Sequence, residues 1–182
     1  TTDNYNLLLD HNTIARIEWN VDNNGVVDFE NSNIKQALED LVTTSKWKVT
    51  PRLITVAEVN SITGKANFDA TSRNSRYNFS ELDSSGRNKY AWLYNYTNSC
   101  RSDENDKLCE VVDNNTYSLY DDSTNIDITY GYWTSTYVLN DNYRTTRYAW
   151  YIYGDYRVDG YNAYGKYRGI RPVITISKSI IK

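Results

Sequence analysis

The groups that could do covalent or metal chemistry are few and poorly spaced for it. His11 is the only histidine. A Ser-His-Asp or Cys-His arrangement would need it, yet no nucleophile motif of the G-x-S-x-G kind accompanies it. A structural place at a strand end is the simpler reading. Cys100 and Cys109 are the only cysteines, separated by RSDENDKL, without a short C-x-x-C spacing or a nearby histidine. That disfavours a redox or metal pair. A disulfide between them would close a loop worth about 2.5–3 kcal/mol in the chain-entropy model, and it would imply an oxidising compartment.

Asn20, Asp22, Asn24, Gly25 and Asp28 fall at positions 1, 3, 5, 6 and 9 of a calcium loop. Position 12 is Asn31 instead of a bidentate Glu, position 1 is not Asp, and the flanks are wrong for an EF-hand. A solvated turn is the reading that follows. The chain has 23 acids, but no two stand out as a glycosidase pair. The sequence predicts no enzyme, no cofactor and no metal site.

Binding chemistry is better represented. Eleven of the 18 Tyr lie in residues 130–167, mixed with Asn. Tyr offers a large ring and a polar tip at the cost of fixing two torsions, which is why antibody binding loops are rich in it. Each ring can bury roughly 150–250 Å², and a standard interface takes about 800 Å² per partner. A handful of exposed Tyr could dominate such a patch. The candidate ligand-binding residues are Tyr137, Asn140, Asn142, Tyr143, Tyr151, Tyr153, Tyr156, Tyr161, Asn162, Tyr164 and Tyr167. In 149–153, strand alternation sets Trp150 and Ile152 on one face, and Tyr151 and Tyr153 on the other, facing outward or into a groove.

Bulk composition agrees with one domain over residues 1–182. Hydrophobic residues are 40% and charged residues 24%, ordinary for a globular chain. The net charge of −3 argues against general nucleic-acid binding. Residues 144–182 nevertheless carry eight Lys/Arg against two acids. That surplus would favour an anionic partner, or would simply keep a Tyr-rich region soluble. No apolar run approaches a membrane span. The chain opens Thr1-Thr2-Asp3 without Met, and is expected to be a processed product from which a signal or anchor has been removed.

The elements that must position these residues follow from local pattern. Strands are expected at residues 5–9 and Ile14–Trp19, with a turn over 20–28. Ile34, Ala37, Leu38 and Leu41 have helical spacing, with N-caps available across Asn31–Asn33. A second helix begins within PRLITVAEV (51–59), where Thr55 and Glu58 have capping-box spacing and Gly64 is a stop. Residues 65–89 read as a long ordered loop in which Phe68, Tyr77 and Phe79 need burying. Further strands are expected over 90–96, 131–138, 147–153 and 167–177, with Pro172 at an edge, bulge or strand start.

Three stretches in this order, PRLITVAEV (51–59), GYWTST (131–136) and YAWYIYG with YRGIRPVITI (148–154, 167–176), resemble the C-type-lectin-like fold in its formylglycine-generating-enzyme form. In that family an Arg-Leu-x-Thr-x-x-Glu segment opens the second helix, a Trp-x-Ser-Ser/Thr strand follows long loops, and Gly-x-Arg-Pro-Val closes the sheet. The family's catalytic version uses a cysteine pair near the C-terminal end, and no cysteine follows Cys109 here. The sugar-binding Glu-Pro-Asn and Trp-Asn-Asp motifs of true C-type lectins are missing too.

The resemblance therefore implies an α+β scaffold, two helices packed on twisted antiparallel strands with long ordered loops, and no catalysis. It also implies the roles such scaffolds take in bacterial, archaeal and phage relatives, as surface receptors and adhesins. Some of those are variable proteins diversified by retroelements at Tyr- and Asn-rich positions, a pattern that residues 137–167 resemble. The expected role is extracellular or cell-surface recognition of a protein or glycan on another cell, virus or surface. The structural alternative is a pilin-like or surface-layer subunit that packs its Tyr-rich face against neighbours. Trp133, Trp150, Ile152, Ile170 and Val173 are expected in the core. Gly169, Arg171 and Pro172 are expected as scaffold, with Arg171 making internal hydrogen bonds.

Overall fold

The computed structural model describes residues 3–9, 17–20, 28–44, 47–65, 67–72, 75–86, 88–94, 131–138, 148–153, 157–165 and 168–180. Among the described residues, three helices and two antiparallel sheets make a mixed α and β fold. The helices are α1 (Asn33–Thr43), α2 (Val56–Thr63) and α3 (Ala91–Tyr94). The strands are β1 (Asn4–Leu8), β2 (Tyr77–Asn78), β3 (Tyr132–Tyr137), β4 (Tyr148–Tyr153), β5 (Arg157–Asn162) and β6 (Val173–Ser177). β1 pairs with β6, bringing the two ends of the chain together, and the larger sheet runs β2-β5-β4-β3. Among the described residues, no helix is long and apolar enough to cross a membrane.

Both longer helices begin where side-chain chemistry dictates. The Ser32 hydroxyl accepts from Lys35 N at 3.0 Å and caps α1, while Ile34 and Leu38 on its inner face are buried. Thr55 and Glu58 form the reciprocal capping box of α2. Gly64 ends that helix at φ 70°, a conformation glycine adopts without steric cost.

The Glu58 carboxylate also forks onto Arg52, at 2.9 and 2.6 Å. Burial alone would push its pKa up. The bonds from Arg52 and Thr55 more than reverse that, so the folded value lies below the ordinary one. Its stabilisation is therefore complete above the ordinary carboxylate range and is lost as pH falls through the lowered folded value. Glu58→Gln should cost about 1 kcal/mol near neutrality. It should also flatten the acid limb of stability below about pH 4.3, read by urea unfolding at several pH values. An unchanged acid limb would contradict the assignment.

The larger sheet is covered on both faces. Tyr132, Trp150, Ile152 and Val158 pack with Val56 and Val59 of α2, and with Phe79, Tyr90, Leu93 and Val173. Trp133, Ala149 and Tyr151 pack against Ile34 and Leu38 of α1, with Trp19, Leu53, Ala163 and Ile170. All five residues expected in the core are buried, but they divide between the two faces. Each buried indole has an acceptor for its N–H. Trp19 donates to Thr134 O at 2.9 Å, Trp133 to Ile17 O at 2.8 Å, and Trp150 to Ala70 O at 2.9 Å. Phe68, Tyr77 and Phe79 do reach the core, as their loop requires.

Three expectations need correction. Residues 90–94 hold a helical turn where aromatic composition suggested a strand. The Asn88 side chain accepts from Tyr90 N, and the amides of Ala91 and Leu93 bond to Asn88 and Tyr90 carbonyls. Those bonds consume donors a sheet ladder would use, and Tyr90 and Leu93, three apart, both become buried. Ile17–Trp19 is not a regular strand; its amides instead reach the Arg168 and Ala163 carbonyls at 3.0 and 2.8 Å. β5 was not expected at all, because RVDGYN has weak strand composition. It forms because it lies between β2 and β4 and matches β4 over six residue pairs.

Candidate functional site

The β4–β5 register sets Tyr151 opposite Asp159, Tyr153 opposite Arg157, and Ala149 opposite Tyr161. In antiparallel strands, alternate residues share a face, so all six lie on the face that α1 covers. Trp133 joins them from β3, opposite Tyr151. α1 and Trp19 pack over Trp133, Ala149 and Tyr151 on this face. Tyr161, opposite Ala149, is 39% exposed, and Tyr153, at the opposite end of β4, is half-buried.

Rings stack edge to face along this face, with Tyr151 at the centre. Tyr151 lies 6.0 Å from Trp133, 5.8 Å from Tyr153 and 6.2 Å from Tyr161. The segment after β5 then inserts a cation. The guanidinium carbon of Arg168 is 3.8 Å from the Tyr161 ring centre, 4.1 Å from Tyr151 and 5.6 Å from Trp133. Arg168 is only 4% exposed. Arg157 repeats the contact at the rim, 5.1 Å from the Tyr153 ring centre, with Asp159 Oδ2 at 3.8 Å from its Nε. Gly165 closes the turn beneath Tyr161, where a Cβ would come within 2.7 Å of the ring.

Burial sets the electrostatics. It pushes the Tyr151 phenol up, and the Arg168 guanidinium beside it partly opposes that rise. Among the described residues, no carboxylate pairs with Arg168, and its buried Nε has no hydrogen-bond partner. Desolvating such a cation costs several kcal/mol. A ring face returns about 2 kcal/mol in a desolvated site. The aromatic frame offsets much of the penalty while the positive charge remains directly beneath the exposed Tyr161 ring.

The expected binding residues divide accordingly. Tyr151, Tyr153 and Tyr161 come together in this array. Tyr151 requires correction: the alternation assigned its face properly, but that face is covered, leaving the residue 4% exposed. It supports the neighbouring rings from below. Tyr137 lies on the same face, half-buried, with its ring 6.0 Å from Trp19. Asn162 points from the opposite face, and its side chain accepts from Tyr164 N at 3.0 Å to shape the turn after β5. Asn140, Asn142, Tyr143, Tyr156 and Tyr167 lie outside the described residues, as do Cys100 and Cys109.

Arg157, Asp159 and Arg168 were missed as site residues. The basic surplus of residues 144–182 was the signal that could have found the arginines. Of the calcium-like spacing, Asp28 accepts from Glu30 N and Asn31 Nδ2 and so caps a short 3-10 turn at 29–31. Asp22, Asn24 and Gly25 lie outside the described residues. Compared with protein-family models, curated proteins and solved structures, the chain matches none.

Proposed function

We propose that this chain is a non-catalytic recognition domain of C-type-lectin-like architecture, working outside the cell or at its surface. The observation that carries this reading is the array of Tyr153, Tyr151 and Tyr161, with Arg168 held against Tyr151 and Tyr161 and Arg157 against Tyr153. Tyr, Trp and Arg are the residue types that dominate binding hot spots, and here they form one contiguous array on a rigid sheet. The fold-level part is supported by the pairing of β1 with β6, by the capping box of α2, and by the placement of Gly169-Ile170-Arg171-Pro172-Val173 against the sheet. Diversification of residues 137–167 by a retroelement belongs to the same proposal. A template repeat in the neighbouring DNA, differing mainly at adenines, would establish it.

The protein test uses Tyr153→Ala combined with Tyr161→Ala. Both side chains are only partly buried, so the variant should still melt cooperatively. Against arrays of proteins and glycans, wild-type affinity should fall about a thousandfold, which is the loss of two hot-spot residues of about 2 kcal/mol each. Retained binding would remove this surface from the assignment.

The rival reading, a self-assembling surface subunit, draws on one observation. Tyr5 and Leu7 are 46% and 42% exposed on β1, whose outer edge pairs with no strand among the described residues. Exposed apolar edges promote strand pairing between chains. Concentration-dependent sedimentation, abolished by Leu7→Lys, would favour that reading.

A further inference from the structure

We infer that the ligand taken by the Tyr153–Tyr161 rim presents a carboxylate, and that an acidic peptide segment of a partner protein supplies it. This rests on the recognition reading above and deepens it. The starting point is the charge balance of one sheet face. Among the described residues, two guanidinium groups, Arg157 and Arg168, and one carboxylate, Asp159, lie on that face. Asp159 lies 3.8 Å from Arg157, while Arg168 has no carboxylate partner among the described residues. Buried arginines normally carry a counter-anion, because ring faces recover only part of the desolvation cost. Here, among the described residues, the buried Nε of Arg168, like that of Arg157, has no hydrogen-bond partner.

The geometry suits an anion arriving from solvent. Tyr161 is the exposed ring directly over the guanidinium, at 3.8 Å. An incoming chain that packs on this ring brings its carboxylate to the cation beside it, and its length can reach Arg157 at the Tyr153 end of the face. A guanidinium presents a planar fork of donors that matches a carboxylate two-to-two, and such charge-assisted bonds are about twice as strong as neutral ones. A peptide fits better than a free acid. Tyr rings flanking a buried Arg are the composition of protein–protein hot spots, where apolar contact surrounds one desolvated polar pair.

The test is a random peptide display library panned on the intact chain, followed by affinity measurements on the recovered peptides. Arg157→Gln, Arg168→Met and Tyr161→Ala serve as variants, with an oligomer of a uronic acid as a second ligand. Recovered peptides should be enriched in Asp and Glu and should weaken with added salt. Each Arg substitution should reduce their affinity about tenfold or more. Arg157 sits at the rim, so Arg157→Gln carries the test even if Arg168→Met fails to melt cooperatively.

Peptides without acidic enrichment, or bound equally well by Arg157→Gln, would overturn the carboxylate inference while leaving recognition by the Tyr rim in place. Arginine-dependent binding of the uronate but of no peptide would overturn the choice of partner. Peptides indifferent to Tyr161→Ala, or no binders at all, would remove both the inference and the recognition reading beneath it.

Discussion

Gly131→Ala should destabilise the domain by about 4 kcal/mol or more, beyond the usual range for one substitution. Two independent costs combine. Gly131 has φ 130°, a backbone conformation closed to residues with a side chain. A Cβ built there would lie 2.0 Å from the carbonyl oxygen of Ile152 and 3.1 Å from its carbonyl carbon. Those are backbone atoms of β4, so no rotamer change can relieve the overlap. Moving them would disturb the Tyr132–Ile152 pair and the bond from Gly169 N to Gly131 O. Gly64→Ala is the matched control. Gly64 is also left-handed, at φ 70°, but a Cβ there meets nothing within 4 Å. Its cost should be only the conformational preference, about 1–2 kcal/mol. Urea midpoints of the two variants measure the difference; equal midpoints would refute the steric argument.

The contrast between the two glycines also shows what was legible in the sequence. Gly64 follows a helix that Thr55 and Glu58 begin, and all three signals are local, so they could be read from spacing alone. The same holds for α1 and for the β4 alternation that separates Trp150 and Ile152 from Tyr151 and Tyr153. What failed depended on distant neighbours. Tyr151 was assigned to the proper face, but nothing in YAWYIY reveals that α1 and Trp19 lie over that face. β5 has Asp and Gly inside it, and only its place between two other strands makes it a strand. YAWLYNY has strand composition, but Asn88 diverts its first amides into a turn. Arg168 was counted as one of several basic residues. Its role exists only because three rings from three strands converge on it. The candidate site was half visible for this reason: the Tyr came from composition, and the cation came from tertiary structure.

Arg171, three residues after Arg168, should give the other large effect. Its side chain is 4% exposed and ties three segments together. Nε donates to Leu9 O at 2.5 Å, Nη2 to Trp92 O at 2.8 Å, and Nη1 to Leu93 O at 3.1 Å. The Tyr132 ring lies 5.4 Å from its guanidinium carbon, and the Tyr132 hydroxyl shares the Leu93 carbonyl. Two opposing terms decide what Arg171→Met would do. Removing a buried cation recovers several kcal/mol of desolvation, and in some proteins that recovery wins when every partner is replaced together. Here the acceptors are backbone carbonyls, which no side-chain substitution removes. Leu9 O and Trp92 O would be left without this donor, at about 1–3 kcal/mol each. The loss should win, with a net destabilisation of about 3–5 kcal/mol, out of a total stability of about 5–15 kcal/mol. Arg171→Lys should not rescue it, because an ammonium lacks the fork that spans three carbonyls. Urea unfolding of both variants decides the matter, and a change under about 1 kcal/mol, within reach of an ordinary surface substitution, would show that these bonds do not hold β1, α3 and β6 together. Because Gly169–Pro172 continues directly from Arg168, loosening this tie should also widen the spread of the Arg168 guanidinium beneath Tyr161. Ligand affinity in Arg171→Met should therefore fall further than its unfolded fraction alone accounts for.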